Sequence, residues 1–415
     1  MRIVVAPFGT RGDVQPILAL AIGLRTAGHE VSMVASPNYA DEARAFDVPF
    51  APLGEDMQTL IRRSGFESSP LRGGIAMFDM GRRLVGELTD GAMPLMRGAD
   101  LIVGGGTPIF APTAAEALGV PYAWIAYSSQ AFRSAHHAPF TVPIHDSKPP
   151  MNRLLWRAMN VGASAAIGGP LARKRAELGL GAVDDLYEHL FSARTALLAA
   201  DPELVAVPPD IPLAEPPTGS LHLPDLRPLD DDLERFLSTG PTPLYVGFGS
   251  MLDADSDATT VTILKAAELA RCRLVVSAGW ARYGRVTTGT RRIGQRAIFI
   301  GATSHSQLFP RVAGIVHHGG AGTTSAALRS GRPQLVVPHL FDQFLWAKWA
   351  FEAGVAPRTF TRAELTTERL AAGLRAMLDE PRFSERAATL GAKVRARDST
   401  KTLIGALERI ASRSR

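Results

Sequence analysis

Along the chain, short apolar runs alternate with longer stretches whose apolar positions recur every three or four residues. Arg2–Ala6 predicts a strand, and Ile17–Ala27 predicts a helix, with Pro16 near its first position and Gly28 just past its end. Glu30–Ala35 reads as a strand and Tyr39–Phe46 as a helix. Strands at Leu101–Val103 and Tyr122–Ala126 flank a helix near Pro112–Leu118. Strands separated by helices imply parallel β-α units, hence a doubly wound sheet. Residues 208–228, with seven prolines, break the pattern. Proline removes a donor and fixes φ, so this segment suits a linker between a first domain, 1–207, and a second, 229–382. The alternation restarts with strands Leu244–Gly247, Leu274–Ser277 and Ala297–Ile300 around a helix at Thr260–Ala270. A short helix at Gln307–Arg311 follows, then helices at Leu340–Ala353 and Ala363–Leu378 and a largely helical amphipathic segment, 383–415. Two α/β halves of the same class are expected, with a ligand beyond the carboxyl ends of their strands, in the cleft between them. Residues 56–100 and 128–165 are the least regular parts of the first half.

Residues 315–343, IVHHGGAGTTSAALRSGRPQLVVPHLFDQ, carry the most chemistry. Ile315–Val316 ends a buried strand, His317–Gly320 forms a turn, and Thr323–Arg329 is a helix closed by Ser330–Gly331 and stopped by Pro333. Leu335–Val337 is a further strand, followed by Asp342–Gln343. A glycine turn feeding a helix N-terminus offers free N–H groups and a favourable dipole to an anion such as phosphate, and glycine lets a ligand approach the backbone. His318 at its mouth suits a hydrogen bond to that anion, His317 suits packing or a supporting bond, and an acid–amide pair suits sugar hydroxyls.

Composition narrows the class. A length of 415 residues suits two to three domains, and an apolar fraction of 46% fills a core in each. No apolar run reaches the roughly 18 residues of a membrane span. The N-terminus reads as a strand rather than a signal peptide. A single cysteine, Cys272, excludes an internal disulfide framework and points to a reducing, cytoplasmic setting. The net charge of +5 is spread without a basic block, so nucleic acid is not implied.

Other motifs are less specific. Phe8–Pro16, FGTRGDVQP, is a glycine loop at a helix start, but it is not G-x-G-x-x-G, so no dinucleotide fingerprint is present. Asp13 there suits a helix cap, and equally a general base facing a cleft. Gly247–Ser250 suits a strand-end turn or a phosphate contact. Asp253–Ala254–Asp255 and Asp230–Asp232 have spacing that would suit Mg²⁺, but short acidic clusters are usually solvated surface, and no metal site is assigned. His136–His137 suits a solvent-facing loop pair or a substrate contact. Met57, Met77, Phe78, Met80, Met93, Met96, Phe132, Phe140, Trp156 and Met159 suit either helix cores or an adaptable apolar acceptor surface.

The run from Ser304 to Phe351 closely resembles the donor-binding signature of family 1 glycosyltransferases, and GTRGDVQP resembles the matching loop of the glycopeptide-antibiotic members. The resemblance extends over nearly the whole chain. It implies the GT-B fold: two Rossmann-like domains facing across a cleft, the first for the acceptor and the second for the nucleotide-sugar, with segment 383–415 packing back on the first. By this resemblance His318 contacts the donor phosphates. Gly320, Gly322 and Thr323 form the pyrophosphate turn, and Asp342 and Gln343 hold the sugar. Ser250 lies on the phosphate side, Ala302 and Thr303 pair with the base, and Thr10 and Asp13 lie near the reacting centre.

The resemblance further implies an inverting, metal-independent hexosyl transfer from a UDP- or dTDP-sugar, with no cofactor, to a lipophilic natural product: a polyketide or macrolide, a glycopeptide or a sterol-like alcohol. Many members use a first-loop histidine supported by a strand-end aspartate. Here the loop offers Asp13 instead, and the strand ends in Gly104–Gly106, so that dyad does not carry over. Two rivals share the architecture: a nucleotide-sugar epimerase, and a non-catalytic degenerate transferase acting as a partner protein.

Overall fold

The computed structural model describes residues 1–64, 70–142, 147–223, 225 and 227–413. The side chain of Met77 lies outside the described residues, as do Pro224 and Leu226 of the proline-rich segment. The chain divides into two compact units: Met1–Pro202, Ala206–Leu223 and Asp398–Arg415 form the first, and Glu203–Val205 with Pro224–Arg397 the second.

The first unit is built on six parallel strands: β1 (Arg2–Phe8), β2 (Glu30–Ala35), β3 (Phe50–Pro52), β4 (Leu101–Gly106), β5 (Tyr122–Ala126) and β6 (Ala196–Leu198). They lie in the order β3-β2-β1-β4-β5-β6. β1 is central and covered on both faces, which is why Ile3–Ala6 reads as an unbroken apolar run rather than an alternation. Its core joins Ile3, Val5, Leu18, Leu20, Met33, Val103 and Ile125. Helix α1 (Arg11–Thr26) begins six residues before the Ile17 start read from apolar periodicity, because Thr10 caps it. Pro16 is therefore inside the helix, where it removes one bond, to the Gly12 carbonyl.

The described part of 56–100 is largely helical. It holds a helix at Pro70–Met96, hidden in the sequence by five glycines and Pro94. Two of those glycines are packing positions: a Cβ would meet Ile167 at 2.8 Å from Gly81 and Leu53 at 2.7 Å from Gly91. Likewise 128–165 carries a helix at Pro149–Ala163.

The second unit has strands β7 (Leu244–Gly247), β8 (Leu274–Ser277), β9 (Thr290–Ile293), β10 (Ala297–Ile300), β11 (Ile315–His317) and β12 (Gln334–Val336), ordered β12-β11-β7-β8-β10-β9. All pairs are parallel except the edge pair β9–β10. Helix α2 (Ala321–Ser330) follows β11, α3 (Gln343–Glu352) follows β12, and α4 (Pro381–Ala396) packs on α2. The segment expected as one helical tail is two helices. α4 stays with the second unit, and α5 (Ser399–Arg413) packs on α1 in the first. The expected linker also divides, since residues 206–223 belong to the first unit. Among the described residues no helix is long and apolar enough to cross a membrane.

Candidate active site

In each sheet the direction of strand addition reverses beside a central strand: between β1 and β4 in the first, between β7 and β11 in the second. Ligands of doubly wound sheets bind outside the carboxyl ends of strands at such switch points. Asp13 and Thr10 lie at the first of these, and His317, His318, Gly320, Gly322 and Thr323 at the second.

At the first, Phe8 pairs with Gly106 across the strand ends. Asp13 lies in the opening turn of α1, and one of its oxygens, Oδ2, accepts from the Thr10 N–H at 2.7 Å and the Thr10 hydroxyl at 3.1 Å. This is half of a capping box, in which a helix supplies its own N-terminal anion. The loop is held from two sides: Tyr39 donates its hydroxyl to the Gly9 carbonyl at 3.2 Å, and Tyr127 to the Asp13 carbonyl at 2.6 Å. Room for the carboxylate comes from glycines. A Cβ would fall 2.2 Å from Asp13 Oδ2 at Gly9 (φ +145°) and 2.7 Å from Asp13 Cβ at Gly106 (φ +67°). Burial pushes the Asp13 pKa up to about 6 against the lowering effect of both Thr10 hydrogen bonds. Capping and a base-like pKa thus belong to one carboxylate.

Next to Gly106, Thr107 and Ile109 line a narrow apolar cavity of about 20 Å³ with Phe78, Met80, Met159 and Tyr187. Met57, Met96, Phe132 and Trp156, expected either as core or as acceptor surface, are core.

At the second switch point His317 pairs with Gly247, and α2 starts at Gly320 with no side-chain cap. Ala321, Gly322 and Thr323 form its first turn, ahead of the Thr324 N–H bond to the Gly320 carbonyl at 2.9 Å. Their N–H groups are the unpaired donors of a helix start. A Cβ on Gly322 would meet nothing within 4 Å.

The two histidines divide. His317 is fully buried: its Nδ1 accepts from the Gly319 N–H at 3.1 Å, so Nε2 carries the proton and donates to Gln334 Oε1 at 2.7 Å. It is a structural strut, and burial lowers its pKa to about 4. The His318 ring is wedged between Gly249 and Gly320, where a Cβ would come within 2.9 Å of Cε1 and 2.6 Å of Nε2 respectively. Burial, then His339, His317 and His305, hold its pKa well below the usual value, so it is neutral. Its Nδ1 is buried without a partner. An unpaired buried N–H costs more than an unpaired lone pair, which puts the proton on Nε2, beside the start of α2.

Around this centre, Gly249 (φ +60°) and Ser250 form the turn after β7, closed by Met251 N–H to Phe248 O at 3.1 Å. Ala302 is exposed and Thr303 half-buried just past the end of β10. Asp342 precedes α3 and accepts from Trp346 Nε1 at 2.9 Å. Gln343 is buried: its Oε1 accepts from the His339 and Leu340 N–H groups at 2.8 and 3.0 Å, and its Nε2 points to Met251 Sδ at 3.4 Å. Its carboxamide braces the loop in which Phe341 takes the left-handed conformation (φ +53°).

Other candidates lie elsewhere. Asp253 is not solvated: it is buried, accepting from Tyr283 at 2.9 Å and pairing with Arg362 at 2.9 Å. Asp255 and Asp230 cap helices. Among the described residues no three His, Cys, Asp or Glu side chains form a metal cluster. His137 is buried against Trp156, while His136 is exposed. The sequence reading assigned no role to Tyr39 and Tyr127, which no motif marks, nor to His339, which lies within the 315–343 motif. It noted Gly106 only as a missing aspartate.

The fold is that of the GT-B glycosyltransferases. The glycosyltransferase VinC, solved in complex with dTDP, superposes with a TM-score of 0.71 at 21% identity, covering 100% of both chains. Residues 3–81 match the glycosyltransferase family 28 N-terminal domain, and residues 290–410 the erythromycin biosynthesis protein CIII-like C-terminal domain. Glycosyltransferase GtfE of Amycolatopsis orientalis is 35% identical over 362 residues, 86% of this chain and 85% of that one. The vancomycin aglycone glucosyltransferase of the same organism is 33% identical over 374 residues, again 86% and 85%. The chain belongs to the family 1 glycosyltransferases, and it is an enzyme of that class.

Proposed function

We propose that the enzyme transfers a hexosyl group, with inversion and without a metal or other cofactor, from a UDP- or dTDP-sugar to a hydroxyl of a lipophilic natural product. The observation that carries this reading is the uncapped start of α2 beside a neutral His318. Three first-turn amides and one imidazole N–H converge there with no side-chain anion to satisfy them. A leaving diphosphate supplies that anion, and preorganised donors aimed at developing charge lower the barrier to its departure.

Asp13 takes the proton from the acceptor hydroxyl. The oxygen bonds to the anomeric carbon as the carbon–phosphate oxygen bond breaks, and the nucleoside diphosphate leaves with the electron pair. A base with a pKa near 6 is deprotonated at neutral pH yet still basic enough to assist. Thr10 fixes the carboxylate, Asp342 takes hydroxyls of the donor sugar, and Ala302 and Thr303 offer backbone to the base. Ser250 supports the phosphates. Gln343 acts through the loop it braces. The relatives named for glycopeptide work favour a natural-product alcohol.

Mass spectrometry of products from a panel of nucleotide-sugars and hydrophobic alcohols tests this. The expected result is a mass gain of one hexosyl unit on an acceptor, with matching diphosphate release. Donor epimerisation without any acceptor, or no turnover with any pair, overturns it.

A further inference from the structure

The helix Pro149–Ala163 has two apolar faces. One is buried: Asn152, Trp156, Met159 and Ala163 turn inward, and Met159 and Ala163 line the cavity beyond Gly106. On the opposite side Met151, Leu154, Ala158 and Val161, spaced three, four and three residues apart, face solvent. Met151 is 48%, Leu154 58% and Val161 68% exposed. Single exposed apolar residues are ordinary, but a stripe of them along one helix marks a contact surface.

Charge says what that surface meets. Residues 147–176 contain six basic side chains and no acidic one. Lys174 and Arg175 are paired, with Asp90 and Glu177 and with Glu116. Lys148, Arg153, Arg157 and Arg173 are exposed, and among the described residues none has a carboxylate partner. By helical spacing Arg153 and Arg157 border the apolar stripe on one side and Lys148 on the other. The three-and-four spacing would also suit a second helix. A second copy, however, would bring these cations together with no carboxylate between them. A helix with an apolar stripe and cationic borders instead matches the boundary between acyl chains and anionic headgroups.

We propose that the outer face of Pro149–Ala163 docks the enzyme on an anionic membrane surface, with Met151, Leu154 and Val161 entering the headgroup boundary and Lys148, Arg153 and Arg157 on lipid phosphates. The docking itself stands apart from the identity of donor and acceptor.

Flotation of the full chain with vesicles tests it. Binding is expected to phosphatidylcholine–phosphatidylglycerol vesicles at roughly three to one, to weaken with salt, and to be much lower on phosphatidylcholine alone, because each basic residue near an anionic surface contributes about fivefold. Leu154→Glu with Val161→Glu should abolish flotation. Arg153→Gln with Arg157→Gln should remove about 25-fold in affinity and most of the headgroup preference. Both pairs lie on the exposed face, so their melting temperatures should match that of the parent. Equal binding to both vesicle types, no binding to either, or variants that float like the parent overturn the proposal. So does a dimer that the apolar variants dissolve while flotation is unchanged.

Discussion

At the end of β1, α1 begins with its own anion in place: Asp13 folds back onto Thr10, and Gly9 and Gly106 make room for it. At the end of β11, α2 begins at Gly320 with no capping side chain and an open position at Gly322. The two junctions share a plan, a strand running into glycine and then a helix start at a topological switch point. They differ in who supplies the negative charge. Where the protein supplies it, burial lifts the carboxylate to about 6 and leaves a base. Where the protein withholds it, the helix dipole, the free amides and a neutral imidazole remain for a ligand's charge. In the function proposed above, one backbone motif would thus serve proton transfer in one unit and leaving-group binding in the other.

The largest break in this comparison comes from Asp13→Asn. The amide oxygen can still accept from Thr10, so the cap survives while the base is lost. Turnover should fall by roughly 10²- to 10⁴-fold. In the parent, kcat/KM should rise through an acid limb near pH 6 that the variant lacks. Stability should move the other way. Between the unfolded value of 3.8 and about 6, the folded state holds the proton that the unfolded state has released, so the parent loses stability as pH rises across this window, and the cost is complete above it. Asn carries no such cost. It should therefore gain up to about 3 kcal/mol at pH 8 and show no gain at pH 3, read from melting temperatures at the two pH values. A variant with near-normal turnover at pH 8 would remove Asp13 from catalysis and leave it a cap.

His318→Ala tests the other junction. It should lower kcat by about 10²- to 10³-fold, the effect of losing one preorganised donor, while the protein stays folded. Because burial keeps His318 neutral, the parent's affinity for a nucleoside diphosphate should be flat between pH 7 and 9 by calorimetry. A histidine titration inside that range would contradict the neutral assignment. Gly322→Asp then makes the second junction imitate the first. There is space for the side chain, so the melting temperature should hold. The new carboxylate should occupy the dipole and weaken diphosphate binding by about tenfold. Undiminished affinity would place the anion elsewhere.

The strand–helix alternation, both sheets and the glycine turn into α2 were legible because each rests on local pattern: buried strands read as apolar runs, and glycine turns precede helices. What the sequence concealed depends on distant partners. His317 and His318 are neighbours in the chain. One is consumed by Gln334, seventeen residues on, and the other is squeezed between Gly249 and Gly320. Gly106 reads as a missing aspartate; only the pairing of β1 with β4 shows it as the space that Asp13 occupies. The helix Pro70–Met96 is masked by five glycines, two of which, Gly81 and Gly91, serve close packing on Ile167 and Leu53. The break between α4 and α5, at Arg397–Asp398, has neither glycine nor proline to announce it.

The acid–amide pair gives the finest test, because its members part company. Asp342 stands before α3, whereas the Gln343 carboxamide oxygen is already used by the His339 and Leu340 amides. If Gln343 works by bracing that loop, the acceptor oxygen matters and the NH₂ group does not. Gln343→Glu keeps an oxygen to accept from both amides and loses the weak contact to Met251 sulfur. Its donor KM should stay within about threefold of the parent, whereas Gln343→Leu leaves two buried amides unpaired, at about 1–3 kcal/mol each, and should lower the melting temperature as well as raise KM. If instead the NH₂ group grips a sugar hydroxyl, Glu and Leu should raise KM alike with the Glu variant fully stable. That pattern would return Gln343 to direct contact with the sugar and restrict the bracing role to the backbone around Phe341.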